Sequence, residues 1–177
     1  VVLPVKSFRD AKARLAPALG PDERRALARS LADRVVDAAG ALPVFVVCDD
    51  TEVAAWARGR GAAVIDPGEP GLDQAAHAGV RGLARRRFEV AVVAHADLLH
   101  ATDLTPVLGF EGVTLVPDRH GDGTNVIALP VRSGFRFAYG PGSFARHDRE
   151  ARRLGLAVRV LHDESLAWDV DTPDDLG

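Results

Sequence analysis

Short, valine-rich apolar runs punctuate the chain at residues 1–5, 44–47, 62–65, 90–94, 113–116, 126–129 and 158–161. Each predicts a strand, and the run at 90–94, which has no polar alternation, predicts one covered on both faces, the habit of a parallel sheet inside an α/β domain. Helical periodicity fills the spaces between them. Pro21, Asp22 and Glu23 open a helix to about residue 39, with Leu27, Leu31 and Val35 spaced to face the sheet. Asp49, Asp50 or Thr51 caps a second helix that Gly61 stops, and a third runs from Leu72 to about Arg86. Residues 102–108 predict a short helix, Ser143 caps another that Gly155 ends, and Thr172-Pro173 starts a last one. The runs at 113–116 and 126–129 flank a polar turn with two glycines and read as a hairpin. The pattern predicts one α/β domain over residues 1–177, in three layers around a mostly parallel central sheet.

Composition narrows the partners. A chain of 177 residues, 47% of them hydrophobic, suffices for one domain with its own core. A net charge of −3 provides no basic field for nucleic acid. No apolar run reaches membrane-spanning length, and the opening VVLPV followed by Lys and Arg is not a secretion signal. The single cysteine, Cys48, excludes an internal disulfide and fits a reducing cytoplasm; at the end of an apolar run it is expected to be a buried structural thiol. Methionine is absent even at position 1, as expected of a chain missing its native start, and the chain stops at Gly177 where a helix has only begun.

The candidate chemistry gathers just past the strand ends, where parallel sheets place it. Lys6, Arg9, Lys12 and Arg14 follow the first strand, a position that suits phosphate, though charge runs are often simply solvated. Asp97 follows the central strand within FEVAVVAHADL (88–98), and its competing use is to cap the helical pattern near Thr102-Asp103. Asp73, at a helix mouth after Gly71 and Leu72, could accept from the N1–H and N2–H of guanine or could merely complement the helix dipole. Thr124 and Asn125 offer donors where the hairpin returns to the core. The turn around Gly140 and Gly142 feeds the helix at Ser143, an anion site or an ordinary cap, with Arg146 and His147 adding charge. Phe135, Phe137 and Tyr139 suit packing, a pocket wall or a subunit contact. Asp169 and Asp171 share one face of an extended segment. Hard carboxylate oxygens beside phosphate-binding groups point to Mg²⁺. No Ser/His/Asp set or Cys/His pair is evident, which suits a nucleophile that is already an anion, such as a phosphate attacking the α-phosphorus of a nucleoside triphosphate.

These segments together resemble one family. PVKSFRDAKARL (4–15), GLDQA (71–75), HADL (95–98), PDRHGDGTN (117–125), YGPGSFARH (139–147) and DVDTPDDL (169–176) occur in an order similar to that of the CofC/FbiD guanylyltransferases of coenzyme F420 biosynthesis. The resemblance implies a nucleotide-diphospho-sugar transferase type of fold, MobA-like, and transfer of GMP from GTP to a small phosphorylated three-carbon acid. It also implies roles. Lys6, Lys12 and Arg14 would hold the GTP phosphates, and Gly71, Leu72 and Asp73 would lie near guanine. Thr124, Gly140 and Ser143 would hold the acceptor, and Asp97, Asp169 and Asp171 would ligate Mg²⁺, with Lys12 and Asp97 carrying catalysis. The Arg- and Ala-heavy composition suggests a GC-rich genome and so phosphoenolpyruvate as acceptor, with 2-phospho-L-lactate next. Monomer and dimer both remain compatible with the sequence. The competing readings are a nucleotide-binding module without activity and a molybdenum-cofactor guanylyltransferase. Lys/Ser/Phe/Arg in place of a glycine-rich first loop favours the CofC/FbiD branch over the latter. Leu99 stands where the family is expected to carry proline.

Overall fold

A computed structural model describes residues 1–176. The valine-rich runs pair into one seven-stranded sheet. Its strands are β1 (Val2–Pro4), β2 (Phe45–Val47), β3 (Ala63–Ile65), β4 (Val90–Ala94), β5 (Val113–Pro117), β6 (Thr124–Pro130) and β7 (Val158–Val160). The spatial order is β3-β2-β1-β4-β6-β5-β7. β1 pairs in parallel with β2 and β4, β2 with β3, and β5 with β7; only β6 runs antiparallel, between β4 and β5. The predicted hairpin is that β5–β6 pair. It returns the chain to the middle of the sheet and sets the end of β6 against β4.

The helices are α1 (Pro21–Ala38), α2 (Thr51–Gly59), α3 (Leu72–Arg85), α4 (Ser143–Arg153) and α5 (Glu164–Ala167). Two apolar cores lie on opposite faces of the sheet, which makes the three layers. Ala32, Val35, Val53 and Leu166 from α1, α2 and α5 meet Leu3, Val46 and Val92 on one face. Ala76, Leu83 and Ala151 from α3 and α4 meet Val2, Val93 and Ile127 on the other. Alternate residues of β4 thus go to different cores, the two-sided burial that its unbroken apolar run implies. Gly79 lets α3 lie directly on β1, because a Cβ there would stand 2.2 Å from a Val2 methyl. Cys48 is buried, and burial pushes its thiol pKa up. Among the described residues no helix is long and apolar enough to cross a membrane.

Four local expectations are corrected. Residues 102–108 hold only a 3₁₀ turn at Thr105–Val107, because Asp103 accepts from the Thr105 N–H at 2.8 Å and Pro106 removes a donor. Ser143 is not the cap of α4: Gly142, at φ 73°, takes that position and Ser143 is the first helical residue. Leu27 and Leu31 leave the sheet and pack with Leu15 and Val170, so the front of α1 supports the N-terminal loop and the C-terminal segment. The final helix is a 3₁₀ turn, Pro173–Leu176, and the short α5, capped by Asp163 on the Ser165 N–H at 2.9 Å, was not foreseen.

Candidate active site

The loop after β1 is pinned at both ends by apolar side chains. Phe8 is buried edge-on against Trp56 at 5.2 Å, and Leu15 is buried on Leu31 and Val170. Between these anchors Lys12 adopts a left-handed backbone, φ 58°, and a single 3₁₀ turn follows at Ala13–Leu15. A lysine in that region is conformationally costly, and such strain gathers at functional loops. Its side chain, only 7% exposed, points inward, and Nζ donates to the Asp97 carboxylate and to the Val170 carbonyl. Lys6 lines the same space from the open side. Arg9 turns away to Glu52 at 3.3 Å, and Arg14 stands in solvent against Asp171 at 2.6 Å.

Asp97 is positioned by β4 and by the C-terminal segment. The Val170 N–H donates to the Asp97 carbonyl at 3.1 Å, Leu98 bridges Asp169, and the Leu99 N–H donates to the Trp168 carbonyl at 2.8 Å. Proline at 99 has no N–H for that last bond; here the hydrogen bond restrains the loop in place of a ring. Val170 faces the core, so Asp169 and Asp171 both face the cleft, as their spacing predicts. Asn125, buried at the start of β6, donates to the Leu166 carbonyl at 3.0 Å and reaches Asp169 at 3.5 Å. Burial, and next the charge of Asp97, push the Asp169 carboxyl above its ordinary range.

Lys6, Lys12, His95, Asp97, Asp169 and Asp171 line a cleft of about 400 Å³ at the carboxyl ends of β1 and β4. A second lobe of about 290 Å³ opens beside it, lined by Cys48, Asp49, Glu69 and Gly71, with Pro4, Val5, Lys6 and Leu72 shared between the lobes. The structure therefore brings together Lys6, Lys12, Asp97, Asp169, Asp171, Gly71 and Leu72, and leaves Arg14 at the rim. Asp73 does not line either lobe: it accepts from the Tyr139 N–H at 2.8 Å and so ties α3 to the aromatic loop.

Thr124, Gly140 and Ser143 stand behind the cleft. Thr124 and Ser143 are buried, and none of the three lines it. The Ala138 N–H donates to His147 Nε2 at 3.0 Å, so the imidazole proton is on Nδ1, which donates to the Thr124 hydroxyl at 3.0 Å. Burial, then Arg146, lower the His147 pKa to about 4. Arg146 is itself spent on the carbonyls of Ala138 and Tyr139, both at 3.0 Å. The two residues thus do not supply the pair of free charges that the sequence suggested; they hold the loop. Tyr139 packs on His147 at 4.9 Å and on His95 at 5.3 Å, and burial raises its phenol pKa.

Three polar atoms here are buried without partners: His95 Nε2, Asp97 Oδ1 and the Tyr139 hydroxyl. Buried polar groups are nearly always paired, and of these three atoms those of His95 and Asp97 belong to residues that line the cleft. An unpartnered carboxylate oxygen beside a second carboxylate is a donor set for a hard cation. Mg²⁺ commonly takes one or two carboxylates and fills its other positions with water and phosphate oxygens. Among the described residues no three His, Cys, Asp or Glu side chains converge as a metal cage, and Asp171 is held by Arg14.

Comparison with known proteins bears on this arrangement. The model of the family "guanylyl transferase CofC like" matches residues 1–177. A phosphoenolpyruvate guanylyltransferase of Sphaerobacter thermophilus is 42% identical over 185 residues, covering 99% of this chain and 89% of its own. A 2-phospho-L-lactate guanylyltransferase of Methanothermobacter thermautotrophicus is 32% identical over 188 residues, covering 99% and 81%. In fold, the chain is similar to a Desulfovibrio desulfuricans structure assigned to the nucleotide-diphospho-sugar transferases, with a TM-score of 0.81 at 20% identity over 99% of this chain and 83% of that one. A nucleotidyl transferase from Methanothermobacter gives 0.65 at 15% identity, over 99% and 94%. The fold, the family match and the named relatives together define an α/β nucleotidyltransferase. Within that class, the chain belongs to the CofC-like guanylyl transferase family.

Proposed function

We propose that the protein transfers GMP from GTP to phosphoenolpyruvate, with release of pyrophosphate, as a step in coenzyme F420 assembly. The observation that carries this reading is Lys12, fixed between Asp97 and the Val170 carbonyl at the inner wall of a cleft on the carboxyl edge of the sheet. The relatives named phosphoenolpyruvate guanylyltransferase, at 42% and 39% identity, supply the acceptor.

The acceptor phosphate is already a nucleophile, so the site needs positioning and charge compensation rather than a general base. Lys12 and Lys6 offset the negative charge of the triphosphate and of the departing pyrophosphate. The second lobe takes the base, beside Gly71 and Leu72, and carboxylates at Asp49 and Glu69 suit the N1–H and N2–H donors of guanine. Asp97 and Asp169 would hold Mg²⁺, with Asp171 next to them; the bound ion supplies further neutralisation of phosphate charge. His95 lines the cleft beside Asp97, where its imidazole suits a carboxylate or phosphate of the acceptor, and Tyr139 packs behind the His95 ring.

The 32% identical relative named for 2-phospho-L-lactate supports a second reading, in which that acid is the acceptor. Pyrophosphate release is measured with GTP and Mg²⁺ plus each acid separately, with ATP and CTP as controls. Release with GTP and phosphoenolpyruvate is expected. Release only with 2-phospho-L-lactate moves the assignment to the second acceptor, and none with either acid overturns guanylyl transfer.

A further inference from the structure

Asp169 and Asp171 ride on a segment with almost no regular structure, and something must hold their backbone still. On its inner side the segment exchanges bonds with the loop that follows β4, at Asp97 and Leu99. On its outer side stands Asp175, only 5% exposed. One Asp175 oxygen accepts from the Asp171 N–H at 2.8 Å, the Thr172 N–H at 2.6 Å and the Thr172 hydroxyl at 3.0 Å. The other meets the guanidinium of Arg119.

Arg119 grips the same segment at its far end. It follows β5, donates its N–H to the Ala167 carbonyl at 2.8 Å, and lays its guanidinium 4.1 Å over the Trp168 ring. Arg119 therefore touches the chain just before Asp169 and, through Asp175, just after Asp171. One of these bonds goes to the backbone of Asp171 itself, and the others hold the residues that flank the two cleft carboxylates, Trp168 and Ala167 before Asp169 and Thr172 after Asp171.

We infer that Arg119 and Asp175 are positioning residues that latch Asp169 and Asp171 in the geometry needed to bind a divalent cation. The inference rests on the reading that Asp169 holds the metal together with Asp97, with Asp171 beside them. Partners one step behind metal ligands commonly matter nearly as much as the ligands.

The test titrates Mn²⁺ into the whole chain without nucleotide and follows the loss of free-ion paramagnetic resonance signal. Wild type should bind and Asp169→Asn should not. Arg119→Ala and Asp175→Ala should each weaken Mn²⁺ binding about tenfold. Because the two residues act as one latch, the double variant should also lose only about tenfold, where independent sites would lose about a hundredfold. Arg119→Lys, which keeps the charge but not the planar fork, should recover part of the loss. Asp175→Asn, which keeps the size and one acceptor oxygen, serves in place of the alanine variant if that one does not fold.

Wild-type affinity in the folded single variants, or losses that multiply, would overturn the latch while leaving the metal reading intact. Absence of Mn²⁺ binding by wild type, or undiminished binding by Asp169→Asn, would overturn both.

Discussion

Lys12 and Arg14 sit two positions apart in one basic run, yet their surroundings assign them different weights. The Lys12 side chain is 7% exposed against Asp97 at 25%, whereas Arg14 is 75% exposed against Asp171 at 50%. Removing one member of a half-buried pair strands the other charge, while an exposed pair contributes about 0–1 kcal/mol. Lys12→Met should therefore lower kcat by about two to three orders of magnitude, the loss typical of a missing transition-state donor. Arg14→Ala should change kcat and KM only a few-fold; steady-state kinetics of the two variants checks this, and equal losses would refute the ranking. Asp97 and Lys12 were legible in the sequence because a strand end and a basic loop flag themselves. The partners of Asp73 and Arg146 were not, because both bond the backbone of a loop whose path only the folded chain defines. The same holds for Asn125, whose contact with Asp169 spans 44 positions.

At the scale of single elements, the aromatic loop and α4 are joined through one neutral histidine. His147 accepts from one backbone N–H and donates to Thr124, so a second proton would face the Ala138 N–H with no acceptor. Its pKa falls from 6.5 to about 4 on folding. Between those values the unfolded chain binds the extra proton, so stability is full above about pH 6.5 and drains away as pH falls toward 4, by about 3 kcal/mol. Urea unfolding across that window should show the loss in wild type and a flatter profile in His147→Gln. Parallel profiles would assign the acid sensitivity elsewhere. The strands and α1 to α3 were legible because valine runs and capping residues state their period locally. The turn at Thr105–Val107 was misread because Asp103 and Pro106 compete with helix over too short a span.

Across the whole molecule, two lobes open over one edge of the sheet, and a nucleoside triphosphate has the length to occupy both. A ligand that binds only the folded state at about a hundred times its Kd adds about 2.7 kcal/mol of stability. For a domain of this size that corresponds to about 5–10 °C in Tm. GTP with Mg²⁺ should produce that shift in differential scanning fluorimetry and ATP a smaller one; equal shifts would remove the base lobe from the specificity argument. The mostly parallel sheet and the clustering of carboxylates at its edge could be read from the pattern of runs. The insertion of antiparallel β6 beside β4, and the docking of the C-terminal segment on β4, depend on long-range pairing that no local window reports.

The bond from Lys12 to the Val170 carbonyl spans 158 positions of chain. Ribosomes add about 5–20 residues each second, so Lys12 waits roughly 8–30 s for that partner to be made. Contacts so distant in sequence also close late in refolding. The sheet can be complete while the lysine is still unseated, so a nascent or freshly refolded chain should look native before it can turn over substrate.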